Sequence, residues 1–345
     1  MKKVFIRILC LALLISATWL ISFTQDKSDQ KLPVDKNVRI GKLENGLVYY
    51  IRKNSKPENR IEMRLVINAG SVLEDDDQQG LAHFIEHMCF NGTKHFEKNK
   101  LIEYLQSVGV QFGPEINAYT SFDETVYMLT LPADSPRIVQ NGFLVMEDWA
   151  QNVTFDTSEI NKERGVVIEE WRINTGAFQR MRDKNLPVIL KDSKYAERLP
   201  IGKKEIIENA SYETITRFYN DWYRPDLMAF IVVGDIDMDT TEIRIKEHFN
   251  RLETSKKSRE RIQHKIPDHD ETLVTIATDK ESPVTVVSVY CKSDTRKFET
   301  YRDYSRMIVH TLFTGMLNQR LSELKELPQP PFINAGSYYG DFLGN

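Results

Sequence analysis

His83 and His87 lie four residues apart in GLAHFIEHMCFNGT, residues 80–93, and Glu86 stands beside the second of them. On a helix, positions i and i+4 stack one above the other, so the two imidazoles would project together and can share one ion. Glu86, three residues past His83, brings its carboxylate to the same place, while Phe84, Ile85 and Met88 take the other faces and can be buried. Zinc suits such a pair because imidazole is a good ligand for it, and a catalytic zinc keeps one position for water. Glu86 would not ligate; it would take a proton from that water and later pass it to a leaving amine. The competing reading is two packed or surface histidines with no ion. A chance match to His-x-x-Glu-His in a chain of this length is on the order of one in a hundred. The spacing, that of the inverted zinc motif, is therefore informative but needs a third protein ligand.

Candidates for that ligand lie in NKERGVVIEEWR, residues 161–172. Glu163 and Glu170 are seven residues apart, nearly two helical turns, and share a face; Glu169 points about 100° away. Surface helices often carry such glutamates without function, so this segment gains weight only through its coupling to the histidines. His95, His248, His264, His269 and His310 lack comparable spacing and read as surface or helix-packing residues. Cys89, two past His87, points away from the histidine face and reads as core.

The elements that must position these groups are legible in outline. IGKLENGLVYYIRKN reads as a hairpin turning at Asn45-Gly46, and RIEMRLVINAGS as a strand stopped at Gly70-Ser71. The acidic run Glu74 to Asp77 suits the positive end of the histidine helix, and Asn91-Gly92 reads as its C-terminal cap. A second helix ends at Gly109, and INAYTSFDETVYMLTLP reads as two strands about a polar turn at Ser121 to Glu124. Helices follow around residues 137–152 and 157–174, the latter with Thr157 or Ser158 as N-cap. From Ile206 a new unit is expected, with helix YETITRFYNDWY, strand MAFIVVGDI and another helix. The stretch ETSKKSRERIQHK reads as a solvated connector, PVTVVSVYC as a strand and YSRMIVHTLFTGMLNQRLSEL as a helix. Strands with interspersed helices and at least one hairpin make α+β the expected class. The final NAGSYYGDFLGN reads as an interrupted strand.

With 345 residues the chain has room for two domains, and its net charge of −4 has no dominant basic block, which gives no electrostatic case for nucleic acid. Lys2, Lys3 and Arg7 precede an apolar run from Ile8 to about Phe23, the layout of an export signal. Residues 1–25 are thus expected to be a cleaved signal or a retained anchor to the inner membrane through residues 8–23. Cys89 and Cys291, far apart in sequence, are expected to be free.

Taken in order, GLAHFIEHMCFNGT, INAYTSFDETVY and ERGVVIEEWR resemble the inverted-motif zinc peptidases of the pitrilysin/insulinase family, and FYNDWYRPDLMAFIVVGDID resembles the domain that follows in that family. KYAERLPIGKKEII and the EEWR ending are most similar to its exported bacterial, PqqL-like branch. The similarity runs from about Val38 to the end. It implies two related α/β sandwich-like units of the mitochondrial-processing-peptidase-like metallohydrolase fold. A catalytic domain would span 36–200, and a second, inactive-type domain, truncated here, 201–345. It implies His83, His87 and Glu170 as Zn2+ ligands, Glu86 as general base and Glu163 as the acid orienting a ligand, with Glu169 as the lesser alternative to Glu170. Asn117, Ala118 and Tyr119 match the family's edge strand, where an extended substrate adds as a strand; Tyr119 and Tyr127 also read as core aromatics.

The function implied is an exported, periplasmic zinc endopeptidase acting on peptides or unfolded polypeptide. Family members enclose substrate between two halves, so the missing half could lie in another chain. The alternatives are a non-catalytic or partner-dependent subunit of the same fold and, more remotely, a hydrolase of another bond.

Overall fold

The computed structural model describes residues 27–98, 100–254, 259–295 and 297–343. The export segment, residues 1–25, lies outside them. Among the described residues no helix is long and apolar enough to cross a membrane. The chain divides into a larger unit built on Asp35–Ser293 and a smaller one carrying Asp294–Phe342.

In the larger unit, β1 (Val38–Lys42) and β2 (Val48–Lys53) form the expected hairpin, with Gly46 at φ +100° in its turn. β3 (Arg60–Ile67) buries every second residue, Ile61, Met63, Leu65 and Ile67, as a strand with one face on a core must. β4 (Ile116–Thr120) and β5 (Thr125–Pro132) are the second expected pair. With β6 (Met228–Gly234) they make one six-stranded sheet of order β1-β2-β6-β3-β5-β4, parallel only between β2 and β6. A mostly antiparallel sheet with helices among its strands confirms the α+β class.

β6 fills the gap between β2 and β3, hydrogen-bonded on both edges, so the chain after Ile206 returns to complete the first sheet.

The helices are α1 (Leu81–Met88), α2 (Lys100–Ser107), α3 (Pro136–Gln151), α4 (Thr157–Asn174), α5 (Ala177–Ile189), α6 (Lys204–Asn209), α7 (Tyr212–Trp222) and α8 (Met238–Phe249). α5 and α6 went unread in the sequence; α5 is amphipathic only weakly and carries Pro187 inside it. α3 lies close on the sheet at Gly142, where an added Cβ would stand 2.3 Å from Leu131 Cδ1. Phe143, Met146 and Trp149 of α3 fill the core with Phe230 and Phe249. α1 packs against α4, α7 and β4.

The cap of α4 lies one residue before those expected: Asp156, not Thr157 or Ser158, accepts from the amides of Ser158 and Glu159. α1 ends at Met88, so Asn91 is beyond the helix. The connector is less solvated than its composition suggests. Arg259 pairs with Asp75 and Asp221, and Arg261 with Asp123, because buried or half-buried acids on the unit's surface need these partners; residues 255–258 lie outside the description.

Residues 283–291 do not form the expected strand. No neighbouring strand pairs with them among the described residues, and Val287 is 88% exposed. The smaller unit contains α9 (Tyr301–Lys325), capped by Thr300 with Asp303 in a reciprocal box, and buries none of its residues. Its described residues include no regular strand, so the one sheet among the described residues is that of the larger unit.

Candidate metal centre

α1 is a short helix with six buried residues, among them Phe84, Ile85 and Met88, as its apolar spacing requires. That burial turns the histidine face toward α4 and β4. The imidazoles meet edge to face, ring centroids 4.7 Å apart and planes at 89°. His83 Nε2 and His87 Nε2 lie 3.2 Å apart. Glu170 Oε2 comes from α4 to 3.3 Å from His87 Nε2 and 3.7 Å from His83 Nε2. Among the described residues these three form the one group whose donor atoms all fall within 4.8 Å of one another. Glu169 lies off this face and pairs with Arg172 in solvent.

Glu163, two turns before Glu170, places Oε1 2.7 Å from His87 Nδ1. A carboxylate there accepts a hydrogen bond from Nδ1–H and so holds the ring with Nε2 facing the cluster. His83 Nδ1 is buried and has no such partner among the described residues. Glu86, only 8% exposed, accepts from Thr120 Oγ1 at 2.6 Å. Asn91 Nδ2 donates to Glu163 Oε2 at 2.5 Å. In the sequence Asn91 reads as part of a helix cap. Asn91 stands four residues past His87, a spacing that signals the same face; Thr120 reaches Glu86 only through the packing of β4 on α1, for which no local signal exists.

The electrostatics follow from this crowding. Burial, and then the neighbouring His87, lower His83 to about 4. Burial works to lower His87 too, but its hydrogen bonds to the Glu163 and Glu170 carboxylates outweigh it and raise the group to about 9. Burial raises Glu86, against the lowering effect of Thr120, and the hydrogen bond to His87 lowers Glu170. Two imidazole nitrogens and a carboxylate oxygen converging on one point fit a divalent cation. Two nitrogens and one oxygen are a donor set of catalytic zinc.

The site opens into a cleft of about 870 Å³ lined also by Asn117, Ala118 and Tyr119 of β4. β4 is the last strand of the sheet, and among the described residues no strand pairs with its outer edge beyond a bridge from Phe112 to Ile116. The Ala118 amide is taken by the Asn117 side chain at 2.9 Å. Tyr119 is 44% exposed and donates to Glu124 at 2.7 Å, so it is not the core aromatic it could have been; Tyr127 is fully buried. Cys89 is buried, donates to Tyr127 Oη at 3.1 Å and, like exposed Cys291, is free. His95 and His248 are packing residues, paired with Asp148 and Glu147.

An α+β sheet unit with an inverted His-x-x-Glu-His helix and a glutamate helix across from it defines a class of metallopeptidase-like domains. Residues 49–195 match the model of insulinase, peptidase family M16, and residues 209–339 that of the M16 inactive domain. The chain belongs to the M16 insulinase family. It is 36% identical over 294 residues to a zinc protease PQQL-like of Arabidopsis thaliana, covering 85% of this chain and 31% of that protein. It is 35% identical over 317 residues to the probable zinc protease PqqL of Haemophilus influenzae, covering 92% of this chain and 34% of that one. The solved first half of the periplasmic protease PqqL from Escherichia coli superposes with a TM-score of 0.71 at 30% identity, over 85% of this chain and 62% of that chain. The chain thus spans about a third of the length of the curated relatives it matches.

Proposed function

We propose that the chain supplies the catalytic site of an exported zinc endopeptidase that hydrolyses peptides or unfolded polypeptide. The observation that carries this is the convergence of His83, His87 and Glu170 donor atoms beside the buried carboxyl of Glu86. His83, His87 and Glu170 would hold the ion, and bound zinc supplies the Lewis acidity that makes water a nucleophile at neutral pH. Glu86 takes the proton from the attacking water and passes it to the leaving amine; its raised pKa suits a group that must both accept and release a proton. Thr120 holds the Glu86 carboxyl in place, and Glu163 orients His87. Asn117, Ala118 and Tyr119 would pair with an extended substrate along the open edge of β4, once the Asn117 side chain releases the Ala118 amide. Residues 36–200 would carry the catalytic chemistry and 201–345 the second family domain, with β6 part of the catalytic sheet. Residues 1–25 would direct export or anchor the chain; the Escherichia coli relative is periplasmic by description.

The test is metal content and peptide cleavage of purified protein beside Glu86→Gln. The variant is expected to keep stoichiometric zinc and lose cleavage by at least a hundredfold. Wild-type protein without stoichiometric zinc would end the catalytic reading. The second reading is a partner-dependent subunit of the same fold. Zinc binding without cleavage until a second-half polypeptide is added would establish it.

A further inference from the structure

We propose that Glu74 is a positioning residue for the metal centre, its buried carboxyl holding the first turn of α1 so that His83 and His87 face Glu170. The inference rests on the zinc reading above. Glu74 is fully buried, between the short 3-10 turns Ser71–Leu73 and Asp76–Gln78. Both its carboxyl oxygens accept from the Gly80 amide at 3.0 Å, and Oε1 also accepts from the Ala82 amide at 2.9 Å. A helix start leaves its first amides without intrahelical partners, and Gly80 at the N-cap has no side chain to serve them. Glu74 supplies from a distance what a capping side chain ordinarily would.

The loop that presents the carboxyl is itself held. Arg198, itself buried, donates from Nε to the Glu74 carbonyl at 3.1 Å, and Ser71 Oγ donates to the Arg198 carbonyl at 2.6 Å. From the opposite side Gly202 presses on Gly80: a Cβ on Gly202 would stand 2.1 Å from Gly80 Cα. Gly80 has φ +100° and Gly202 φ +72°, conformations that glycine adopts readily. The start of α1 is therefore caught between a carboxyl and a glycine contact, and Ala82, whose amide the carboxyl holds, directly precedes His83. A small rotation of that turn would carry the imidazole with it. No step of the proposed chemistry uses Glu74, yet it is a buried acid. Burial raises its pKa to about 8 against the lowering effect of the two amides.

Full-length Glu74→Gln and Glu74→Ala variants would be titrated with cobalt(II), following affinity and the d–d absorption band, with circular dichroism as the check of folding. The band reports ligand geometry and does not respond to a uniform loss of stability. Glu74→Gln keeps an acceptor oxygen and is expected to stay within about threefold of wild-type affinity; Glu74→Ala, folded, is expected to lose tenfold or more and to shift the band. Should the alanine variant not fold, Glu74→Asp, whose carboxyl stops a methylene short of the amides, is read with the same expectation. A folded Ala or Asp variant with wild-type affinity and band overturns the inference, and a Gln variant as weak as the alanine one overturns the acceptor role. Wild type that binds no cobalt overturns the zinc reading, and the inference with it.

Discussion

Glu163 acts on His87 as Thr120 acts on Glu86: each aims a group that it does not replace. Removing Glu163 leaves the His87 tautomer unset, so Glu163→Ala is expected to weaken zinc 10–100-fold in a chelator competition while α4 stays folded. Glu74 gives a pH signature of its own. Its folded-state pKa is raised to about 8 from 4.5. Between those values the folded state keeps a proton that the unfolded chain has lost, so stability falls as pH rises through that window. Arg198 and Lys194 face the group and temper the shift. Denaturant melts across pH 5–8 should show a downward contribution of at most about 1.4 kcal/mol per pH unit that Glu74→Gln removes. An identical slope in the variant would contradict the assignment.

Two helices from distant parts of the chain make the site. Arg164 of α4 donates to the carbonyls of Ile207 and Ala210 at the end of α6 and stands 5.9 Å over the ring of Phe84 in α1. It thereby ties the glutamate helix to both neighbours. Arg164→Ala would leave two carbonyls without a charged donor, and a loss of about 2–3 kcal/mol in urea unfolding is expected. No change would mean that α4 is held by its apolar side alone. The helical placing of Glu163 and Glu170 was legible because seven residues are nearly two turns. Asp156 as the cap was not, since Asp156, Thr157 and Ser158 are all good caps and only packing chose among them.

At the scale of the molecule, β6 enters the sheet parallel to β2 and joins segments far apart in sequence. Beyond α8, residues 268–293 form no helix or regular strand among the described residues. Trypsin in limiting amounts is expected to cut first at exposed Lys280 and to leave the sheet intact. Early cuts within β2 to β6 would show the sheet to be the weaker part.

By itself the sequence determined what neighbours within two helical turns or one hairpin decide. These are the shared face of His83, Glu86 and His87, the pairing of Glu163 with Glu170, the Asn45-Gly46 turn and the strands on either side of Ser121 to Glu124. Only the tertiary structure decided which atoms meet: Glu170 with the two Nε2 atoms, Glu163 with Nδ1, Thr120 with Glu86 and Glu74 with the start of α1. It also decided that β6 completes the first sheet and that residues 283–291 stay unpaired. Helical and turn geometry is set locally, whereas ligand convergence and strand pairing need partners that the chain brings together only when its core closes.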